Sequence, residues 1–152
     1  GIYDEVMHMV LIIRDPRGSH HPGRKIDQLV QGVDILPTIL ELLDLPIPKN
    51  VVGKSLASIV RIGKKVDHPP FAVLTGHWLY GIRTPRWKLI LPRFSPHQLY
   101  DVNRDPQEQR NVLNQHPAVA KELRDRLEAL LPLEPAGVMS DPDEWMREHG
   151  YW

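Results

Sequence analysis

The sequence predicts an α+β fold: a small antiparallel β-sheet packed with a C-terminal helix, preceded by one strand and one helix of a separate unit. Three observations predict it. Between residues 71 and 101, four short runs rich in β-branched and aromatic residues are separated by Gly and Pro signals. Residues 117–131 carry an apolar stripe at helical spacing behind a proline start. Ahead of both, a β-branched run at 9–14 and an apolar helical pattern at 34–44 stand apart from the rest.

The run Met9–Arg14 is continuously apolar until Asp15-Pro16 stops it, the pattern of a strand buried on both faces, whose natural neighbours are parallel strands that this chain hardly supplies. Asp34 is a helix cap for a segment reaching Asp44, with Ile35, Leu36, Ile39, Leu40, Leu42 and Leu43 forming a wide apolar face, Pro37 tolerated in the first turn, and Pro46 and Pro48 beyond the end. The four runs Phe71–Thr75, Tyr80–Arg83, Trp87–Leu91 and Gln98–Tyr100 read most economically as an antiparallel meander. Thr84-Pro85-Arg86 turns its second strand into its third, because proline presets φ for the corner of a turn. On the 117–131 helix, Val119, Leu123, Leu127, Leu130 and Leu131 share one face. Lys121, Glu122, Arg124, Asp125 and Glu128 face water, with i,i+4 pairs expected for Lys121 with Asp125 and for Arg124 with Glu128. In the polar tail, Asp141 and Glu144 have capping-box spacing, which predicts a short helix from Pro142 to His149.

Composition narrows the function classes. The 152 residues are 41% hydrophobic and 25% charged, within the globular range, and fifteen prolines are twice the usual share of about 5%. Nineteen basic residues balance nineteen acidic ones, so the net positive field that serves nucleic acid or an anionic membrane is missing, and neither is an expected partner. The absence of cysteine removes disulfides, thiolate metal sites and cysteine-derived nucleophiles from this chain. No apolar run approaches the roughly 20 residues needed to span a bilayer. The N-terminus lacks the basic, apolar and small-residue series of a signal peptide. Gly1 in place of methionine raises the expectation of a piece of a longer chain.

Three constellations imitate chemistry. Asp101, Asn103 and Asp105 match positions 1, 3 and 5 of a calcium loop, but Pro106 replaces the required glycine and Val112 the bidentate glutamate, so they read as a tight turn whose side chains satisfy backbone amides. His20-His21, in a Ser/Gly/Pro/Arg loop, reads as solvated rather than metal-binding. Ser19–Arg24 spaces a hydroxyl, a proline and an arginine one residue too widely for the nucleophile motif described next.

Taken in order, the segments resemble the sulfatases of the alkaline-phosphatase-like superfamily. Tyr3-Asp4-Glu5 and Leu11–Pro16 are similar to the stretch after that family's last catalytic lysine. Asp34-Ile35-Leu36-Pro37-Thr38, followed by Gly53-Lys54-Ser55-Leu56, resembles its Asp-(Ile/Leu)-x-Pro-Thr helix and Gly-x-Ser-Leu continuation. Arg83 to Leu89 resembles its Arg-x-x-x-(Trp/Tyr)-Lys-Leu hairpin. Leu99-Tyr100-Asp101, Asp105-Pro106, Glu108 and Asn111 are similar to its Leu-Tyr-Asp-x-x-x-Asp-Pro-x-Glu-x-x-Asn signature. The chain departs from the pattern at Val10, where proline is common, and at His8, where arginine is frequent.

The resemblance implies a C-terminal portion downstream of the catalytic lysine, with no catalytic residue and no metal ligand of its own. Sulfatases use a formylglycine made from a Cys/Ser-x-Pro-x-Arg motif and a divalent cation, calcium, and both would belong to an upstream portion that is this chain's expected partner. The implied division is 1–62 as the end of the catalytic domain, 63–134 as the C-terminal subdomain and 135–152 as a tail. The expected substrate is a small sulfate ester, with His77 and Trp78 as substrate-binding candidates: imidazole pairs with an anion and indole offers a platform for a ring. For Trp78, covering the sheet is the competing reading. His8 is a third candidate, and a satisfied, partly buried histidine is its alternative. A phosphonate monoester hydrolase or phosphodiesterase parent would differ only in residues this chain lacks. A free-standing interaction module would have to cover the 9–14 run itself, whereas a fragment would leave it exposed or bury it in a homodimer.

Overall fold

The structure is a computed structural model that describes residues 2–15, 17, 23–67, 71–74 and 79–130. Its sheet has four antiparallel strands in the order β1 (Phe71–Leu74), β2 (Leu79–Arg83), β3 (Trp87–Pro92) and β4 (Gln98–Asp101), the meander that the turn signals predict. The registers place Ile82 opposite Leu89, and Leu89 opposite Leu99. At the corner between β2 and β3, the Thr84 and Trp87 backbones and the Thr84 hydroxyl close the turn, with the Trp87 N–H donating to Thr84 Oγ1 at 2.8 Å.

Because side chains alternate across a strand, the sheet has two cores. Ile82, Leu89, Leu91 and Leu99 point to one face, where Leu123 and Leu127 of the helix Pro117–Leu130 cover them. Leu130, assigned to that stripe by spacing, is instead half exposed. The predicted Lys121–Asp125 pair forms at 2.7 Å. Arg124 does not follow the prediction of Glu128 and reaches His97 Nδ1 at 2.8 Å. Ile90 and Tyr100 face the other way, where Ile2 and Val102 complete a second cluster. Gly81 lies under Ile2: a Cβ there would come within 2.5 Å of Ile2 Cδ1, so the absence of a side chain admits the N-terminal segment.

Among the described residues three short α-helices precede the sheet. α1 (Asp4–Met7) is a single turn that periodicity does not reveal. α2 (Ile35–Leu42) follows a 3₁₀ turn at Gly32–Asp34. α3 (Ala57–Ile62) ends at Gly63, whose φ of 69° is left-handed. With these names in place, the C-terminal helix is α4.

The expected strand at Met9–Arg14 is absent: residues 8–15 have no sheet partner, and Met9, Val10 and Ile12 are 74%, 87% and 86% exposed. A strand forms only against a neighbour that satisfies its amides, and the single sheet among the described residues does not include this segment. The apolar face of α2 is likewise uncovered, with Ile35, Leu36, Ile39 and Leu43 all exposed. The predicted helix at 142–149, the His20-His21 pair and the 135–152 tail lie outside the described residues.

Candidate functional site

Two polar clusters account for most of the motif residues. The first fixes the entry to α2. Asp34, fully buried, stands at the N-cap of α2 but its carboxylate makes no cap bond into that helix; it accepts the Gln31 N–H at 2.7 Å and the Lys54 N–H at 2.8 Å and so ties the turn to the Gly53–Leu56 strip. Thr38 Oγ1 donates to the Asp34 carbonyl at 2.5 Å and accepts the Leu56 N–H at 2.8 Å. Gly53 passes so close that a Cβ would fall 2.0 Å from the Val33 carbonyl oxygen. The Asp-x-x-x-Thr and Gly-x-Ser-Leu pieces are two halves of one hydrogen-bonded joint.

The second cluster lies on the face of the sheet away from α4, and three motifs converge on it. Lys88 shares that face with Ile90 and has a side chain only 4% exposed; its Nζ is 2.7 Å from Asp4 Oδ1 and 2.7 Å from Glu108 Oε1. Arg83, directly opposite Lys88 in the register, approaches Asp4 Oδ2 at 3.6 Å. Two like charges facing each other across strands repel, and Asp4 sits where it screens them. Glu108 Oε2 also accepts the backbone N–H of Asp4 at 2.7 Å. Glu108 adopts φ 55°, in the left-handed region that costs a non-glycine residue about 1–2 kcal/mol. That conformation turns its carboxylate under the sheet. Two cations and two carboxylates balance, and together they clasp α1 to β2 and β3. The clasp passes directly to His8, whose N–H donates to the Asp4 carbonyl at 2.8 Å.

Around the clasp, the remaining signature residues shape the loop that carries Glu108. Asp105 accepts the Gln109 and Arg110 amides at 3.2 and 2.8 Å. Asn111 Oδ1 accepts the Leu99 N–H at 3.0 Å while its Nδ2 donates to the His97 carbonyl. Asp101 Oδ2 takes two hydrogen bonds from Arg86, at 3.1 and 2.8 Å, which hold the carboxyl below the ordinary carboxylate range. Tyr100 and Tyr3 meet edge to face at 6.3 Å and both donate to Gln98 Oε1. Burial, followed by the Tyr3 neighbour, pushes the Tyr100 phenol up to about 12.

Next to Ile2 and Tyr3 an open groove of about 380 Å³ is walled by Leu79, Pro92, Phe94 and Gln98. Leu79 follows Trp78 in the chain. His77 and Trp78 themselves lie outside the described residues. His8 is exposed in this chain. Among the described residues no three His, Asp or Glu converge as a metal would need, and Asp101 and Asp105 are engaged by Arg86 and by backbone amides. The donor set of the described residues therefore does not fit a divalent cation. Lys88 and Glu108 were quoted by motif but not foreseen as partners of Asp4. The available signal was a lysine set inside the apolar strand Trp87–Leu91, a charge that burial forces to find carboxylates.

Comparison with known proteins agrees with this architecture. The family described as N-sulphoglucosamine sulphohydrolase, C-terminal, matches residues 1–132. The chain belongs to this sulfatase C-terminal family. It is 29% identical over 148 residues to arylsulfatase K of Xenopus laevis, covering 86% of this chain and 27% of that protein. It is 27% identical over 158 residues to the N-acetylglucosamine-6-O-sulfatase of Bacteroides thetaiotaomicron, covering 94% and 28%. The phosphonate monoester hydrolase of Agrobacterium radiobacter shares the fold with a TM-score of 0.57 at 24% identity, over 71% of this chain and 26% of that one. The chain thus spans about a quarter of the length of the curated relatives it matches.

Proposed function

We propose that this chain is the C-terminal portion of an enzyme that hydrolyses sulfuric esters, and that it contributes architecture and substrate contacts to a reaction whose chemical groups lie upstream. The observation that carries the reading is the family match over residues 1–132 in a chain about a quarter as long as its relatives. The exposed Met9–Ile12 run and the uncovered α2 face support it, since a self-sufficient interaction module would bury them. In this reading those surfaces pack against the upstream portion, which holds the formylglycine and the calcium ion. The 1–62 stretch closes that catalytic domain, 63–134 is the subdomain at the mouth of its site, and 135–152 is a tail.

Substrate contact falls to the connection between β1 and β2, Thr75-Gly76-His77-Trp78, and to His8. Leu79, the next residue in the sequence after Trp78, lines the groove walled by Tyr3, Phe94 and Gln98, which supports this reading. The test uses two preparations. The full-length protein should turn over an aryl sulfate faster than an aryl phosphonate, and the isolated chain should turn over neither, with or without calcium. Preference for the phosphonate in the full-length protein would reassign the ester class. Turnover that follows the isolated chain through purification would overturn the reading.

A further inference from the structure

The observation left unexplained by a purely architectural role is the cost of the clasp. A lysine and a glutamate are almost completely buried, Glu108 is held in a left-handed backbone conformation, and an apolar pair of similar volume would join the segment to the sheet without desolvating any charge. What ions supply and apolar contacts do not is direction. Lys88 and Glu108 hold both the side chain and the backbone N–H of Asp4, each at 2.7 Å, which fixes the rotation and register of Ile2–His8 as well as its attachment. We propose that Lys88 and Glu108 are positioning residues for ester hydrolysis: through Asp4 they set α1, with the exposed His8 at its end and the chain that enters at Ile2, in the orientation the reacting groups require.

The proposal rests on the sulfatase reading, and the atoms of the clasp are all on this chain. Asp4 receives three contacts from the sheet side: Lys88 Nζ, Arg83 Nη2 and the Glu108 carboxylate through its amide. It passes that constraint to His8 by a single turn of helix, through the hydrogen bond from the His8 N–H to its own carbonyl. A shift of the segment by about an ångström is enough to misalign groups it carries.

The experiment uses the full-length protein with 4-nitrophenyl sulfate as probe, comparing wild type with Glu108→Gln, Asp4→Asn and the charge-balanced double variant Lys88→Met/Glu108→Gln. Leu127→Ala, on the opposite face of the sheet, supplies a matched loss of melting temperature without touching the clasp. Positioning predicts that kcat falls by about tenfold or more while KM changes by less than about twofold. It also predicts amide exchange at residues 4–8 that is faster by about tenfold or more. Leu127→Ala should leave kcat of the folded enzyme and exchange at 4–8 unchanged. Should Glu108→Gln fail to fold, Asp4→Asn, at a side chain 29% exposed, reads the same contact. Faster exchange with unchanged kcat would overturn positioning and leave the clasp a structural pin, with the sulfatase reading intact. A wild type inactive on sulfate and phosphonate esters alike would overturn that reading and the proposal together.

Discussion

Glu108 Oε2 accepts the backbone N–H of Asp4 at 2.7 Å, joining two residues 104 positions apart. The contact is worth more than its single hydrogen bond, because the other oxygen of the same carboxylate pairs with the ammonium of Lys88 and that ammonium pairs in turn with the Asp4 side chain. Removing any one member leaves a charge under the sheet with too few partners.

Replacing Glu108 separates the charge from the backbone conformation. Glu108→Ala should lose about 3–5 kcal/mol, the usual cost of breaking a buried ion pair from one side. Glu108→Gly removes the same carboxylate but relieves the φ of 55°, and should recover about 1 kcal/mol of that loss. Urea unfolding of both variants measures the difference, and an alanine variant as stable as the glycine one would refute the strain.

Gly53→Ala should destabilise the joint at α2 by about 3 kcal/mol, since its Cβ meets backbone rather than a yielding side chain. Thr38→Val should cost about 1–3 kcal/mol for a different reason: it leaves the Leu56 N–H without its acceptor. Calorimetry on both checks whether the two motif pieces melt as one unit.

Partial burial, and then the Arg124 guanidinium, hold the His97 imidazole below its ordinary 6.5. The folded state therefore binds fewer protons than the unfolded chain just below that value, so stability is full above pH 6.5 and declines as pH falls toward the folded value. His97→Asn should flatten the melting temperature between about pH 7 and 5. A wild type and variant with parallel pH profiles would remove His97 from the account.

The isolated chain should self-associate through α2, where Leu36 is 54% and Ile39 48% exposed. Leu36→Glu with Ile39→Glu should shift sedimentation toward monomer. Monomeric behaviour of the unaltered chain at all concentrations would argue against a homodimer.

In the full-length protein, Trp78→Ala should raise KM more than it lowers kcat, by the about 0.5–1.5 kcal/mol of a ring stack. His77→Ala should weaken anionic substrates most below about pH 6.5, where imidazole is charged. Unchanged KM with a lowered melting temperature would assign Trp78 to covering the sheet.

The meander and α4 were legible because their signals are local: alternation within strands, Thr84-Pro85 at a corner, and Leu123 and Leu127 four apart. Met9–Arg14 carries the complementary kind of signal. A run of β-branched residues reports what a segment prefers beside a neighbour, and the neighbour is not in the sheet this chain builds. The clasp was illegible as a unit. Motif order brought Asp4, Lys88 and Glu108 into view one by one, but convergence depends on Gly81 admitting Ile2 and on the unusual φ of Glu108, neither of which periodicity records.

The long span between Asp4 and Glu108 also has a cost in time. Synthesis at about 5–20 residues per second separates the two by roughly 5–20 s, far longer than a small sheet takes to form. Through that interval the Asp4 amide has no carboxylate to accept it, and Ile2, buried in the folded chain, remains open to water. Docking of Ile2–Met7 is expected to follow formation of the meander. Point changes in α1 should accelerate unfolding while leaving the refolding rate of the sheet nearly untouched.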